Sequence, residues 1–174
     1  QLGQKMTIKV GDSIVHGDLS YSMLILLLDK QAYCIIDLEK NADKNVYREE
    51  IFVHKPIFRR DDDPVCGLWM NYERGKAVAL HMSGSLTFFN IAMKSSPQGM
   101  KLLLMPLSIE YPFIEGTMIQ GVSGIEFSRL SSKEDNLCFV MSHKGEIVGY
   151  NCKDSHKVGE TMRCDDKTST FTLS

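Results

Sequence analysis

Residues 122–152 alternate apolar and polar side chains in a way that predicts three strands. Val122, Gly124, Ile125 and Phe127 open the stretch, a polar loop follows, and an apolar run over 137–141 leads into a turn at Lys144-Gly145. A second alternating run then closes on Tyr150-Asn151. Alternation sends every second side chain to one face of a sheet, and glycine supplies the turn. Residues 65–91 repeat this order, with a Val65-Cys66-Gly67 opening, a turn at Gly84 and an ending at Phe89-Asn90. Residues 15–38 repeat it more faintly and end on Ile36-Asp37. Landmark glycines at Gly17, Gly67 and Gly124 and closing residues at Asp37, Asn90 and Asn151 recur together, so the chain reads as a repeat protein.

Within the first copy, residues 23–28 form a continuous apolar run too short for a stable helix and suited to a strand buried on both faces. Short strands at 6–10, 46–54 and 100–104 precede the three copies. Each unit is therefore expected to hold four strands, one before the glycine landmark and three after it. A small sheet of this kind buries its faces only by stacking on neighbours.

These residues resemble WD-repeat and related β-propellers, in which the last strands of each unit end in an aromatic or apolar residue followed by Asp or Asn. Here Ile36-Asp37, Phe89-Asn90 and Tyr150-Asn151 take the place of the Trp-Asp dipeptide. The resemblance implies an all-β fold of antiparallel four-stranded repeats forming a partial β-propeller. Its approximate blades run over 6–38, 46–91 and 100–152, with a further one beginning at 156–174, all in one incomplete domain over 1–174. The alternative is a single antiparallel β-barrel or sandwich whose hairpins look alike. Propellers close with about four to eight blades. The remaining blades are accordingly expected from a longer chain, of which the non-Met start is suggestive, or from another chain or copy.

Composition narrows the class. The 174 residues are 43% hydrophobic, which supports a core without disulfides or metal. Lys and Arg total 20 against 22 Asp and Glu, a net charge of −2, which argues against nucleic acid and anionic membranes as partners. Five cysteines, Cys34, Cys66, Cys138, Cys152 and Cys164, are an odd number, and four of them lie in or beside apolar runs, as expected of buried reduced thiols. No glycosylation sequon, signal peptide or membrane-length apolar run occurs, so an intracellular protein, cytoplasmic or nuclear and without membrane insertion, is expected.

Candidate chemistry is sparse. His16 and Asp18 would share a strand face but lack a third partner or a nucleophile motif. His81 and His143 fall near hairpin turns, where solvated histidines are the rule, and Cys152, His156 and Cys164 lack the paired spacing of a zinc site. No catalytic residue, cofactor or metal is assigned, and the expected function is a non-catalytic protein–protein interaction module, a scaffold subunit of an intracellular complex. A small-molecule-binding barrel and a nucleic-acid-associated propeller subunit are the alternatives.

For protein binding, Tyr111, Phe113 and Ile114 lie in an irregular apolar segment broken by Pro112, with no period that would bury it. Trp69, the single tryptophan, is either inter-blade packing or an exposed anchor. Arg59 and Arg60 can grip a carboxylate or phosphate, although three neighbouring aspartates compete for them. Loops at 39–45, 71–76, 93–99 and 129–136 are the implied binding face.

Overall fold

The computed structural model describes residues 6–40, 54, 63–97, 99–115, 118–119, 122–128, 137–154 and 156–163. Among the described residues there are thirteen strands and no helix. β1 (Ile14–Ser20), β2 (Met23–Leu28) and β3 (Tyr33–Asp37) form the first sheet. β4 (Val65–Asn71), β5 (Lys76–His81), β6 (Leu86–Ser96) and β7 (Gly99–Glu110) form the second. After a two-stranded piece, β8 (Ile114–Glu115) with β9 (Met118–Ile119), the third sheet comprises β10 (Val122–Phe127), β11 (Leu137–Ser142), β12 (Glu146–Asn151) and β13 (His156–Arg163). All neighbours are antiparallel and sequential. Separate meandering sheets, rather than one closed sheet, remove the single-barrel alternative.

The repeats coincide in register. Met23 pairs with Asp37, Lys76 with Asn90 and Leu137 with Asn151, so the three closing residues hold one position. A bulge near the start of each inner strand is shared too, and there His16 faces Leu27, Gly67 faces Leu80 and Gly124 faces Met141. His16, not Gly17, therefore holds the place of Gly67 and Gly124. By the same register Trp69 corresponds to Glu126 and to Asp18. The one-residue slip arose because glycine identity was matched where the bulge sets the frame.

The fourth strand follows its three partners instead of preceding them. Residues 100–104 belong to β7, which pairs along β6 and closes the second sheet, and His156–Arg163 closes the third rather than starting a further unit. Short connections favour pairing with the strand just completed. The predicted loop at 93–99 is likewise mostly ladder, with Met93 opposite Leu102 and Ser96 opposite Gly99. Of the predicted strand at 46–54 only His54 lies within the described residues, and it exchanges both backbone hydrogen bonds with Tyr33 at the edge of β3.

Two cores join the three sheets. Ile25, Leu27 and Tyr33 of the first sheet meet Leu68, Met70, Ala79, Phe89 and Leu104 of the second. On the opposite face of the second sheet, Val78, Leu86 and Phe88 meet Ile125, Phe127, Val140, Val148 and Tyr150. β5 shows why a run such as AVAL is continuous: Ala77 and Ala79 face one core, Val78 and Leu80 the other. A third cluster, with Val10, Leu26, Leu28, Cys34 and Ile36, covers part of the far face of the first sheet.

Polar side chains of the first sheet seal the bare edges of the second. His16 Nδ1 lies 3.0 Å from the Leu68 carbonyl oxygen and 3.3 Å from its nitrogen. Asp18 accepts the Met70 N–H at 2.8 Å, and Ser20 accepts the Tyr72 N–H at 2.9 Å. Gln31 accepts from Val65 N at 2.6 Å and donates to its carbonyl at 3.1 Å. On the outer edge the Tyr33 hydroxyl accepts the Leu104 N–H at 3.0 Å. An edge strand presents a row of such groups that must be satisfied, and here the neighbouring blade satisfies them. Gln31 has φ 57°, where the equivalent Gly84 and Gly145 have 87° and 77°. A left-handed conformation costs a side chain energy, which the paired bonds to Val65 offset.

Candidate functional site

The inner strands β1, β4 and β10 lie side by side, and their C-terminal ends border an open groove of about 610 Å³. Asp18, Ser20 and Tyr21 line one side, and Ile125–Ser128 line the other, with Glu126 offering a carboxylate. Trp69 and Asn71 form the middle, with Glu73 and Arg74 from the β4–β5 turn at the rim. That turn is shaped locally: Asn71 Oδ1 accepts the Arg74 N–H at 3.2 Å and Gly75 N donates to the Tyr72 carbonyl at 3.0 Å. The floor groups Asp18 and Ser20 already hold the β4 backbone. The groove thus combines carboxylates, one guanidinium and the rings of Tyr21, Trp69 and the largely buried Phe127, a surface suited to a polar chain carrying cationic and apolar side chains.

Trp69 resolves into packing and lining at once. Half-buried, it packs against the core between the second and third sheets, its ring tilted 52° to the His16 imidazole with centroids 4.4 Å apart. Gly67 makes room for it, because a Cβ there would stand 2.3 Å from the indole Cη2. The demand is for space. Gly67→Ala should lower stability by about 1–3 kcal/mol through overpacking, and the cost should shrink in a Trp69→Leu background. Urea unfolding of the double-mutant cycle measures this; additive effects would show that the ring is not the obstacle.

The other sequence-derived candidates scatter. Tyr111 is exposed just beyond β7, whereas Phe113 is only 5% exposed and packs into the core between the second and third sheets. In a segment that lacks a period of its own, Phe113 fills the gap between the two sheets. Ile114 lies in β8, opposite Ile119. Arg59 and Arg60 fall outside the described residues, as do Cys164, the loop at 129–136 and most of that at 39–45. The groove draws instead on the 71–76 loop, which sequence reasoning did identify, and on Asp18, Ser20 and Glu126, which it did not. Their signal was alternation, Asp18 and Ser20 on the face that β1 turns toward the second sheet and Glu126 on the face opposite Ile125 and Phe127, legible only once the bulge register is known.

His16 and Asp18 do share a face, and both serve the backbone of β4. His81, expected to be solvated, is buried: Nδ1 lies 3.0 Å from the Asp63 carbonyl oxygen and Nε2 2.7 Å from Thr87 Oγ1. Asp63 in turn accepts from Ser83 N at 2.8 Å and from the hydroxyls of Ser83 and Ser85. Burial would raise the Asp63 carboxyl, but these donors and the nearby His81 hold it below its ordinary 3.8. The network ties the β5–β6 turn to the start of β4. Cys34, Cys138 and Cys152 are buried and unbridged, and burial pushes the Cys34 thiol up to about 12. A hydrogen bond with Cys152, together with burial, holds the Cys138 thiol well above the usual range. Thiols so held are poor nucleophiles.

No protein-family profile matches the sequence, and no curated protein resembles it in sequence. Among solved structures, the chain superimposes on the β-propeller domain of Cps50 (Swd1) from Myceliophteria thermophila with a TM-score of 0.57 at 12% identity, over 87% of this chain and 44% of that one. Apo AztD from Citrobacter koseri is also similar, with a TM-score of 0.49 at 8% identity over 90% of this chain and 35% of that one. BamB from Moraxella catarrhalis gives 0.32 at 9% identity, over 84% and 49%. The chain spans less than half the length of each. Taken with the three antiparallel sheets, the first likeness shows the fold: consecutive blades of a β-propeller.

Proposed function

We propose that this chain is a non-catalytic interaction module, part of a propeller scaffold in an intracellular multi-protein assembly, and that it engages partners through the groove at the ends of β1, β4 and β10. The observation that carries this reading is the composition of the groove: Glu73, Arg74 and Glu126 around the rings of Trp69 and Tyr21, beside a β4 edge whose Met70 and Tyr72 N–H groups Asp18 and Ser20 already accept. An extended protein segment bearing basic and apolar side chains fits that surface best. The buried, unbridged cysteines support a reducing compartment.

Charge reversal at the rim tests the reading. A Glu73→Lys, Arg74→Glu variant should retain the cooperative unfolding of the parent and lose at least one co-purifying protein from cell extract, by quantitative mass spectrometry against a Met93→Ser control on an exposed strand. An unchanged set of partners would count against the groove, and a salt-dependent gain of nucleic acid by the parent protein would favour the nucleic-acid reading instead.

A further inference from the structure

Trp69 is the single tryptophan of the chain, and the repeat sets an acidic residue on the strand at either side of it. Asp18, Trp69 and Glu126 hold one register position of the inner strands, opposite Ile25, Val78 and Phe139, and β4 touches both β1 and β10. All three residues line the groove. The ring and the Asp18 carboxylate are fixed before any partner arrives. Asp18 Oδ2 takes the Met70 N–H at 2.8 Å, which holds the carboxylate beside the residue that follows Trp69. The indole is held by the His16 imidazole, 4.4 Å away between centroids, and by the space over Gly67. Groups already in place bind without the cost of ordering them.

Charge selects the sign of the ligand. Asp18, Glu73 and Glu126 against Arg74 leave two negative charges on the groove lining, so a phosphate or an acidic chain is repelled and a cation is drawn in. Between the two permanently cationic side chains of proteins, the ring decides. A guanidinium is planar and weakly hydrated, so it packs on an indole and still donates hydrogen bonds in its own plane to a carboxylate at the side. An ammonium is a strongly hydrated point charge, and in a groove open to solvent it keeps its water and gains little. Tyr21 adds a second ring at a cost. It holds φ 55° in the β1–β2 turn, a left-handed conformation that glycine adopts freely, and its side chain is 68% exposed at the groove wall. A strained, exposed aromatic residue thus stands where glycine would serve the turn better.

We infer that the groove receives an arginine side chain of the partner segment, its guanidinium packed on Trp69 and paired with Asp18, with the Tyr21 ring as the wall on the β1 side. Resting on the reading of the groove as the partner-binding surface, this adds to it one anchoring residue and the two groups that recognise it.

Because Trp69 is the only indole, its fluorescence reads the site without a label. N-acetyl-arginine amide titrated into the chain should change that emission saturably. The lysine counterpart should bind about threefold more weakly and the uncharged citrulline counterpart about tenfold more weakly. Asp18→Asn keeps an acceptor for the Met70 N–H and removes the charge, so it should unfold like the parent and lose about tenfold in arginine affinity. Tyr21→Gly should unfold at least as late in urea as the parent, through relief of the left-handed residue, and bind arginine less tightly. Lysine or citrulline equal to arginine, or both variants binding as the parent does, would overturn the inference. A silent titration beside a rim variant that still loses partners removes arginine and keeps the groove. A saturable titration beside an unchanged set of partners removes the groove from the assembly, and the partner's arginine with it.

Discussion

Phe88→Ala should cost about 3–5 kcal/mol, the range for emptying a fully buried aromatic site. Phe88 is only 1% exposed, and its ring lies 5.3 Å from that of Tyr150 at a 47° tilt. It stands at the middle of the core joining the second and third sheets, with Val78, Leu86 and Val140 around it. Residues of both sheets pack in this core, so the cavity weakens the joint and not merely one strand. A domain of this kind has about 5–15 kcal/mol in total, and the loss should appear as a large drop in urea midpoint. A loss under about 1 kcal/mol would mean that the two sheets do not share this core.

Acidification from pH 6.5 to pH 4 should remove on the order of 3 kcal/mol of stability through His54 alone. Burial, helped by the Lys101 ammonium and opposed by a bond to the Leu102 backbone, lowers the imidazole from 6.5 to about 4. The ring stacks on Tyr33 at 4.8 Å and 16°, in the seam between the first sheet and β7. Because the folded value lies below the unfolded one, the fold favours the neutral ring. The contribution is fully present above pH 6.5 and is lost as pH falls toward 4. His54→Phe keeps an aromatic stack and removes the titration, so its unfolding free energy should be flatter across that window. Parallel curves for the two proteins would refute the assignment. Asp63 works in the opposite position: held below 3.8, it contributes above that value and loses its contribution only as pH falls further.

Both predictions concern seams between blades, and seams were the part of this molecule that the linear pattern conveyed least. Strand content was legible because alternation and buried runs are local properties, and the repeat was legible because three units solve the same burial problem. Asp37, Asn90 and Asn151 do share one register position. Gly17 misled by one residue, since an identity match cannot see a bulge that moves His16 into the glycine place. Phe113 misled because an irregular segment carries no sign of the gap it will fill.

The sequence by itself determined an all-β chain of repeated hairpins, the residues that close each unit, and the turn at 71–76 that borders the groove. Those follow from side-chain period and turn chemistry, which depend on neighbours a few residues away. Only the tertiary structure decided that the fourth strand completes the preceding sheet, that Gln31 accepts a left-handed backbone in order to bind Val65, and that His16, Asp18 and Ser20 seal the edge of β4. The bonds made by Gln31, His16, Asp18 and Ser20 join groups 34 or 52 positions apart. An unsatisfied backbone edge is a demand that no local pattern records, and it is met by whichever side chains the stacking of sheets brings within reach.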